Sequence, residues 1–119
     1  MSIGTLPQRT VGIRSGDEIH DALQHLPTRR DKPRPQGARA ALGWALDPWK
    51  SPPIPMEPSP ADALLRLMAQ ERTALAVRHD PRQSPQQRRY ARGVAQALGW
   101  ILGYTPDLPL VRPEATAGR

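Results

Sequence analysis

The chain has 119 residues, enough for one compact domain or two closely packed half-domains, and its 38% hydrophobic content, 4% aromatic content and 15 prolines limit it to a modest core. Fifteen Arg and two Lys against 11 acids give a net charge of +6, which draws polyanions such as nucleic acid, although a GC-rich genome alone also enriches Arg, Ala, Pro and Gly. The lack of Cys excludes disulfides and thiolate chemistry; no apolar run approaches the roughly 20 residues of a membrane span, and Met1–Pro7 has no secretory-signal pattern, so a cytoplasmic protein with no membrane partner is expected.

From Gln8 to Arg14 a period-2 pattern sets Val11 and Ile13 on one face and Thr10, Gly12 and Arg14 on the other, which predicts a short N-terminal strand weakened by Gly12. Ser15-Gly16-Asp17-Glu18 then has the form of a capping box, and it opens a helix carrying Ile19, Ala22, Leu23 and Leu26 that Pro27 ends. Residues 28–36 hold Arg29, Arg30, Lys32 and Arg34 around Pro33 and Pro35, and read as a basic connection. A second helix is expected over about residues 35–46, burying Ala38, Ala41, Leu42 and Ala45 or Leu46, with Asp47-Pro48 as its stop. Six prolines between Pro48 and Pro60 predict a stiff polyproline II connector.

The third helix is predicted from Ser59 as N-cap and Pro60 as first helical residue, through Leu64, Leu65, Leu67, Met68, Leu75 and Val77, to about Arg78. Asp80-Pro81 breaks it. Ser84-Pro85-Gln86-Gln87 restarts the pattern with a second capping box, and the fourth helix runs through Tyr90, Val94, Ala97, Leu98, Ile101 and Leu102 to a C-cap at Gly103. Prolines at 106, 109 and 113 then predict an extended tail.

Gly37–Leu46 returns as Gly93–Leu102 with six identities at an offset of 56, both copies containing Leu-Gly-Trp. The expected fold is therefore all-α: two helical hairpins, an internal duplication of four helices packed as a small bundle. In residue numbers this gives an arm at 1–14, a hairpin at 15–47, a proline-rich linker at 48–59, a second hairpin at 60–103 and a tail at 104–119. The hairpins can pack within one chain or pair with a second copy, so a homodimer is allowed. Trp44 and Trp100 read as core anchors. Gly43 and Gly99, each beside a Trp, point to a neighbouring backbone passing close.

Arg29, Arg30, Lys32, Arg34 and Arg39 precede or open the second helix, and Arg78, Arg82, Arg88, Arg89 and Arg92 do the same for the fourth. Such side chains beside helix N–H groups suit a phosphate, while a merely solvated charged face accounts for the same pattern. The candidate anion-binding or nucleic-acid-binding set is Arg29, Arg30, Lys32, Arg34, Arg39, Arg88, Arg89 and Arg92. Trp49, Pro52, Pro53 and Pro55 form a candidate protein-interaction set: Trp49, just past a helix end, either folds back over the bundle or is exposed for a partner, and PxxP segments are read by polyproline-gripping domains, although a plain spacer has the same composition.

The stretch from Arg9 to Leu23, followed by Ala38-Arg39-Ala40-Ala41-Leu42, resembles the ribbon-helix-helix repressors. In that family a short strand precedes a capped helix and a second helix, and paired strands from two chains enter the DNA major groove. The resemblance implies that Thr10, Gly12 and Arg14 face bases, that Val11 and Ile13 face the core, and that Arg39 lies near the DNA backbone. The chain departs from the family where Pro33 and Pro35 lengthen the turn between helices and where Gly12 interrupts the strand.

Catalytic chemistry is poorly represented. His20 shares a helical side with Asp17, Asp21 and Gln24, an arrangement that a solvated face also produces, and neither a Gly-rich phosphate loop nor a nucleophile motif is present. A non-enzymatic protein without cofactor or metal is expected. Its leading role is a small basic regulator binding DNA or a nucleoprotein complex. The alternative is an adaptor or inhibitor, antitoxin-like or an accessory of a phage or mobile element, docking on a larger and acidic protein partner.

Overall fold

Four helices form where the apolar spacing places them in the computed structural model, which describes residues 10–11, 13–26, 32–56, 62–106 and 108. They are α1 (Gly16–His25), α2 (Pro33–Ala45), α3 (Ala63–Arg78) and α4 (Pro85–Ile101). They pack together: α4 lies against both α2 and α3, and α1 lies against α2. The strand content is small, two residues each in β1 (Thr10–Val11) and β2 (Arg14–Ser15).

The N-terminal region differs from the single strand expected over Gln8 to Arg14. Thr10 pairs with Ser15 and Val11 with Arg14, so the chain reverses between them and β1 meets β2 antiparallel. Ile13 consequently sits in the turn and is 61% exposed rather than facing the core. Its N–H donates to the Ile101 carbonyl at 3.0 Å, tying the turn to the end of α4.

Both capping boxes form as the local residues dictate. Ser15 Oγ accepts from Glu18 N at 3.1 Å while Glu18 Oε1 accepts from Ser15 N at 2.8 Å. Ser84 and Gln87 repeat the arrangement at α4. α2 begins at Pro33 rather than Pro35, because prolines at the first and third helical positions forfeit N–H groups that have no intrahelical acceptor there. The cap of α3 is Asp62, whose Oδ1 accepts from Leu65 N at 3.2 Å. The expected cap Ser59 and first helical residue Pro60 fall outside the described residues.

At its C-terminus α4 closes with Gly103 N–H donating to the Trp100 carbonyl at 3.1 Å and Tyr104 N–H to the Gly99 carbonyl at 2.8 Å. This is a Schellman closure, and it uses the positive φ of 85° at Gly103.

The core joins Ile19, Leu26, Leu42, Leu67, Leu98 and Ile101 to a set of buried alanines. Trp44 and Trp100 are both buried, and Trp44 Nε1 donates to the Lys50 carbonyl at 2.9 Å. Leu64 and Leu65 depart from the expected apolar pattern at 45% and 46% exposed; Gln70 and Ala74 instead join Leu67 on the buried face of α3.

The segment expected to be a stiff spacer is folded onto the bundle. Ile54 is buried, its N–H donates to Gln70 Oε1 at 2.7 Å, and Gln70 Nε2 donates to its carbonyl at 3.0 Å. A buried amide that satisfies one residue's whole backbone removes the desolvation penalty that would otherwise keep this proline-rich stretch in water. Leu108, within the expected tail, is also buried in the core.

The close approach of backbones occurs one turn or more before the Leu-Gly-Trp triplets. A Cβ added to Gly37 would overlap the Tyr90 carbonyl and stand 3.2 Å from Val94 N; one added to Gly93 would overlap the Arg34 carbonyl and stand 2.9 Å from Ala38 N. Gly43 has nothing within 4 Å, and Gly99 meets only Tyr104 at 4.0 Å, so the expectation of crowding beside each Trp is corrected. Tyr90 and Val94 are Arg34 and Ala38 shifted by the repeat offset of 56, so the two contacts are reciprocal.

Candidate functional site

The carboxylates of the described chain are mostly engaged close by in sequence. Glu18 pairs with Arg14 at 3.8 Å, Asp47 with Lys50 at 3.9 Å and Asp80 with Arg82 at 3.1 Å. The Arg82 guanidinium and backbone N–H beside Asp80 hold its carboxyl below the ordinary range. Arg82 is thereby withdrawn from the basic cluster that precedes α4.

What remains is cationic. Arg34, Arg78, Arg88, Arg89 and Arg92 have no carboxylate partner among the described residues. Arg34 comes from the first turn of α2, Arg78 from the last turn of α3, and the others from the first half of α4. Burial first, and then the guanidinium groups of Arg92 and Arg78, lower the proton affinity of Arg34. Arg34 Nε donates to Gln96 Oε1 at 2.8 Å, and Arg89, Arg92 and Gln96 share one face of α4 by their spacing. The packing of α2 on α4 thus gathers one cation from the first predicted cluster with several from the second. The Arg88 Nε is buried without a partner, so this surface carries an uncompensated polar group as well as like charge.

The other predicted residues are distributed differently. Lys32 is the exposed N-cap of α2. Arg39 Nη2 points to the Leu26 carbonyl at 3.4 Å, toward the end of α1 and inside the fold. Arg29 and Arg30 lie outside the described residues. Arg14, which the ribbon-helix-helix resemblance directs at bases, is committed to α4: its Nε donates to the Trp100 carbonyl at 3.0 Å and its Nη2 to the Thr105 and Pro106 carbonyls at 3.2 and 3.3 Å.

The helix N-termini offer few backbone donors for an anion. In α2 the first and third helical positions are Pro33 and Pro35, which have no N–H. In α4 the first is Pro85, and the Gln87 N–H is taken by Ser84 Oγ at 3.1 Å. What these helix starts could offer an anion is therefore side chains rather than backbone N–H groups.

Beside this surface the first turns of α2 and α4 border a cleft of about 700 Å³, completed by the 53–55 segment, the end of α3 and Gln83. Pro53 and Pro55 of the protein-interaction set line it, and Pro52 does not. Gln36, Gln83, Gln86, Gln87 and Tyr90, none of which the sequence marked as a binding residue, supply its polar groups. Burial pushes the Tyr90 phenol up in pKa. Trp49 is 59% exposed and lies under the Arg66 guanidinium, 5.3 Å from the ring centroid.

Among the described residues no group of His, Cys, Asp and Glu is placed to hold a metal ion, and no helix is long and apolar enough to cross a membrane. Comparison with protein-family models, curated proteins and solved structures found no match to this chain.

Proposed function

We propose that this protein is a small, non-enzymatic regulator that binds DNA or a nucleoprotein complex through an arginine surface shared by α2, α3 and α4. The observation that carries the reading is the packing of α2 on α4, which seats Arg34 on Gln96 within reach of Arg92 and Arg78, with no carboxylate partner among the described residues. Like charges held together by a folded scaffold destabilise it slightly unless a polyanion neutralises them, and phosphate contacts of this kind give sequence-independent affinity. Arg88 and Arg89 extend the surface along α4, and Lys32 adjoins it as the N-cap of α2. The repeat and the reciprocal Gly37 and Gly93 contacts support a scaffold of two related helical hairpins. The cytoplasm is the compartment where such a partner is met.

Fluorescence anisotropy with a labelled duplex tests this. Arg89→Ala and Arg92→Ala, both at exposed positions, should weaken binding by similar factors on unrelated sequences. Wild-type protein that leaves the duplex free at low salt would overturn the proposal. A second reading, docking on a larger protein, is favoured by the exposed Trp49, an aromatic side chain held in place by Arg66.

A further inference from the structure

We infer that the cleft between the first turns of α2 and α4 receives an unpaired base of a nucleic-acid strand. The inference rests on the arginine surface binding the phosphates of the same strand.

Among the described residues the cleft lining contains no charged side chain, which suits a ligand part that is neutral. Most of its polar groups are nonetheless unspent. The side-chain amides of Gln36 and Gln86 and the Tyr90 hydroxyl have no hydrogen-bond partner among the described residues, whereas the Gln83 amide is engaged by the Asp80 carboxylate. Gln87 uses its Oε1 on Ser84, and its amide nitrogen is left over. A primary amide presents a donor and an acceptor side by side, the complement of the paired groups on a base edge. Tyr90 adds an aromatic ring, and base stacking on such rings tolerates any sequence. The volume, about 700 Å³, falls in the range of sites for small planar ligands.

Charge selects a base over a peptide, whose backbone would satisfy the same amides. Lys32 precedes Pro33, Arg78 follows Val77, and Arg88 with Arg89 separates Gln87 from Tyr90, so the walls from α2, α3 and α4 each continue directly into a cation in sequence, while the 53–55 wall does not. A neutral body with anionic groups at its margin is a nucleotide. In a duplex the base edges are paired and stacked, so the cleft favours single strands, loops or distorted sites.

The test titrates the full chain into a single-stranded oligonucleotide carrying 2-aminopurine and into the matching duplex, with free adenosine followed separately by amide and side-chain NMR. The expected results are a fluorescence change on the single strand, at least about tenfold tighter binding of it than of the duplex, and adenosine-induced shifts at Gln36, Gln86 and Tyr90. The double variant Gln36→Ala/Gln86→Ala should lose about tenfold on the single strand and little on the duplex. Tyr90→Phe, which retains the ring, should keep the fluorescence change. Equal losses on both strands, or wild-type binding with no shift at the cleft, overturns the cleft while leaving the arginine surface standing. Adenosine shifts in a protein that binds neither oligonucleotide would support the cleft and remove the arginine surface. Cleft shifts produced by a proline-rich peptide and not by adenosine overturn the inference in favour of a protein ligand.

Discussion

Gly37 and Gly93 each face the backbone of the other's helix, with a Cβ on either one overlapping the carbonyl of Tyr90 or Arg34. Gly→Ala inside a helix ordinarily gains about 0.5–1 kcal/mol. Here the sign should reverse, because the obstacle is main chain and cannot rotate away. Gly37→Ala and Gly93→Ala are expected to lose about 2–3 kcal/mol each, and Gly43→Ala, with open space around it, to gain the ordinary increment. Urea unfolding of the three variants measures this, and a stabilised Gly93→Ala would contradict the crossing.

Arg14 closes the C-terminal end of α4 from the opposite end of the chain. It lies 4.6 Å from the Trp100 ring centroid and donates to the Trp100 carbonyl at 3.0 Å. Arg14→Ala should therefore lower stability by about 1.5–3 kcal/mol, the scale of a charge-assisted hydrogen bond with a ring contact. Arg14→Lys restores the charge but not the fork, and should recover only part of it. Chemical denaturation followed by tryptophan fluorescence reads both effects.

Gln70 holds the 53–55 segment against α3. Gln70→Leu removes the partners of both the Ile54 N–H and its carbonyl, which costs about 1–3 kcal/mol for each buried group left unsatisfied. Limited proteolysis should then cut between Pro48 and Asp62 faster than in the wild-type protein. An unchanged cleavage rate would mean that the segment is held by something else.

Glu71 contributes a pH dependence of known sign. Burial raises its pKa above the ordinary 4.5, against a smaller opposing effect of Arg72. The folded state thus binds the proton more tightly than the unfolded chain, so Glu71 disfavours folding at neutral pH and the penalty is relieved as pH falls through its raised folded pKa. Glu71→Gln should raise the melting temperature at pH 7, and the gain should vanish below the ordinary carboxylate range. A gain independent of pH would assign the effect to packing.

Local signals in the sequence carried much of the helix plan. The capping boxes at Ser15 and Ser84 involve residues three apart, so adjacent side chains suffice to specify them. Ser59-Pro60 imitates such a start, but Asp62 supplies the cap because its own carboxylate reaches Leu65 N. The pairing of Gln70 with Ile54 left no such trace, since it joins residues 16 apart and a Gln in a helix reads as surface. Arg14 was misleading for a related reason: an arginine beside a short strand suggests an outward charge, and its carbonyl partners lie 86 to 92 residues away. The cleft was illegible because its polar groups are scattered neutral glutamines and a tyrosine, which have no spacing rule.

The dependence of duplex affinity on salt tests the arginine surface most directly. If the side chains of Arg34, Arg89 and Arg92 each neutralise a phosphate, the slope of log K against log salt should be about −2.7, steeper with each further contact. Arg92→Ala should reduce its magnitude by about 0.9. Binding that is absent at low salt, or whose slope is near zero and unchanged in Arg92→Ala, would contradict phosphate recognition by this surface.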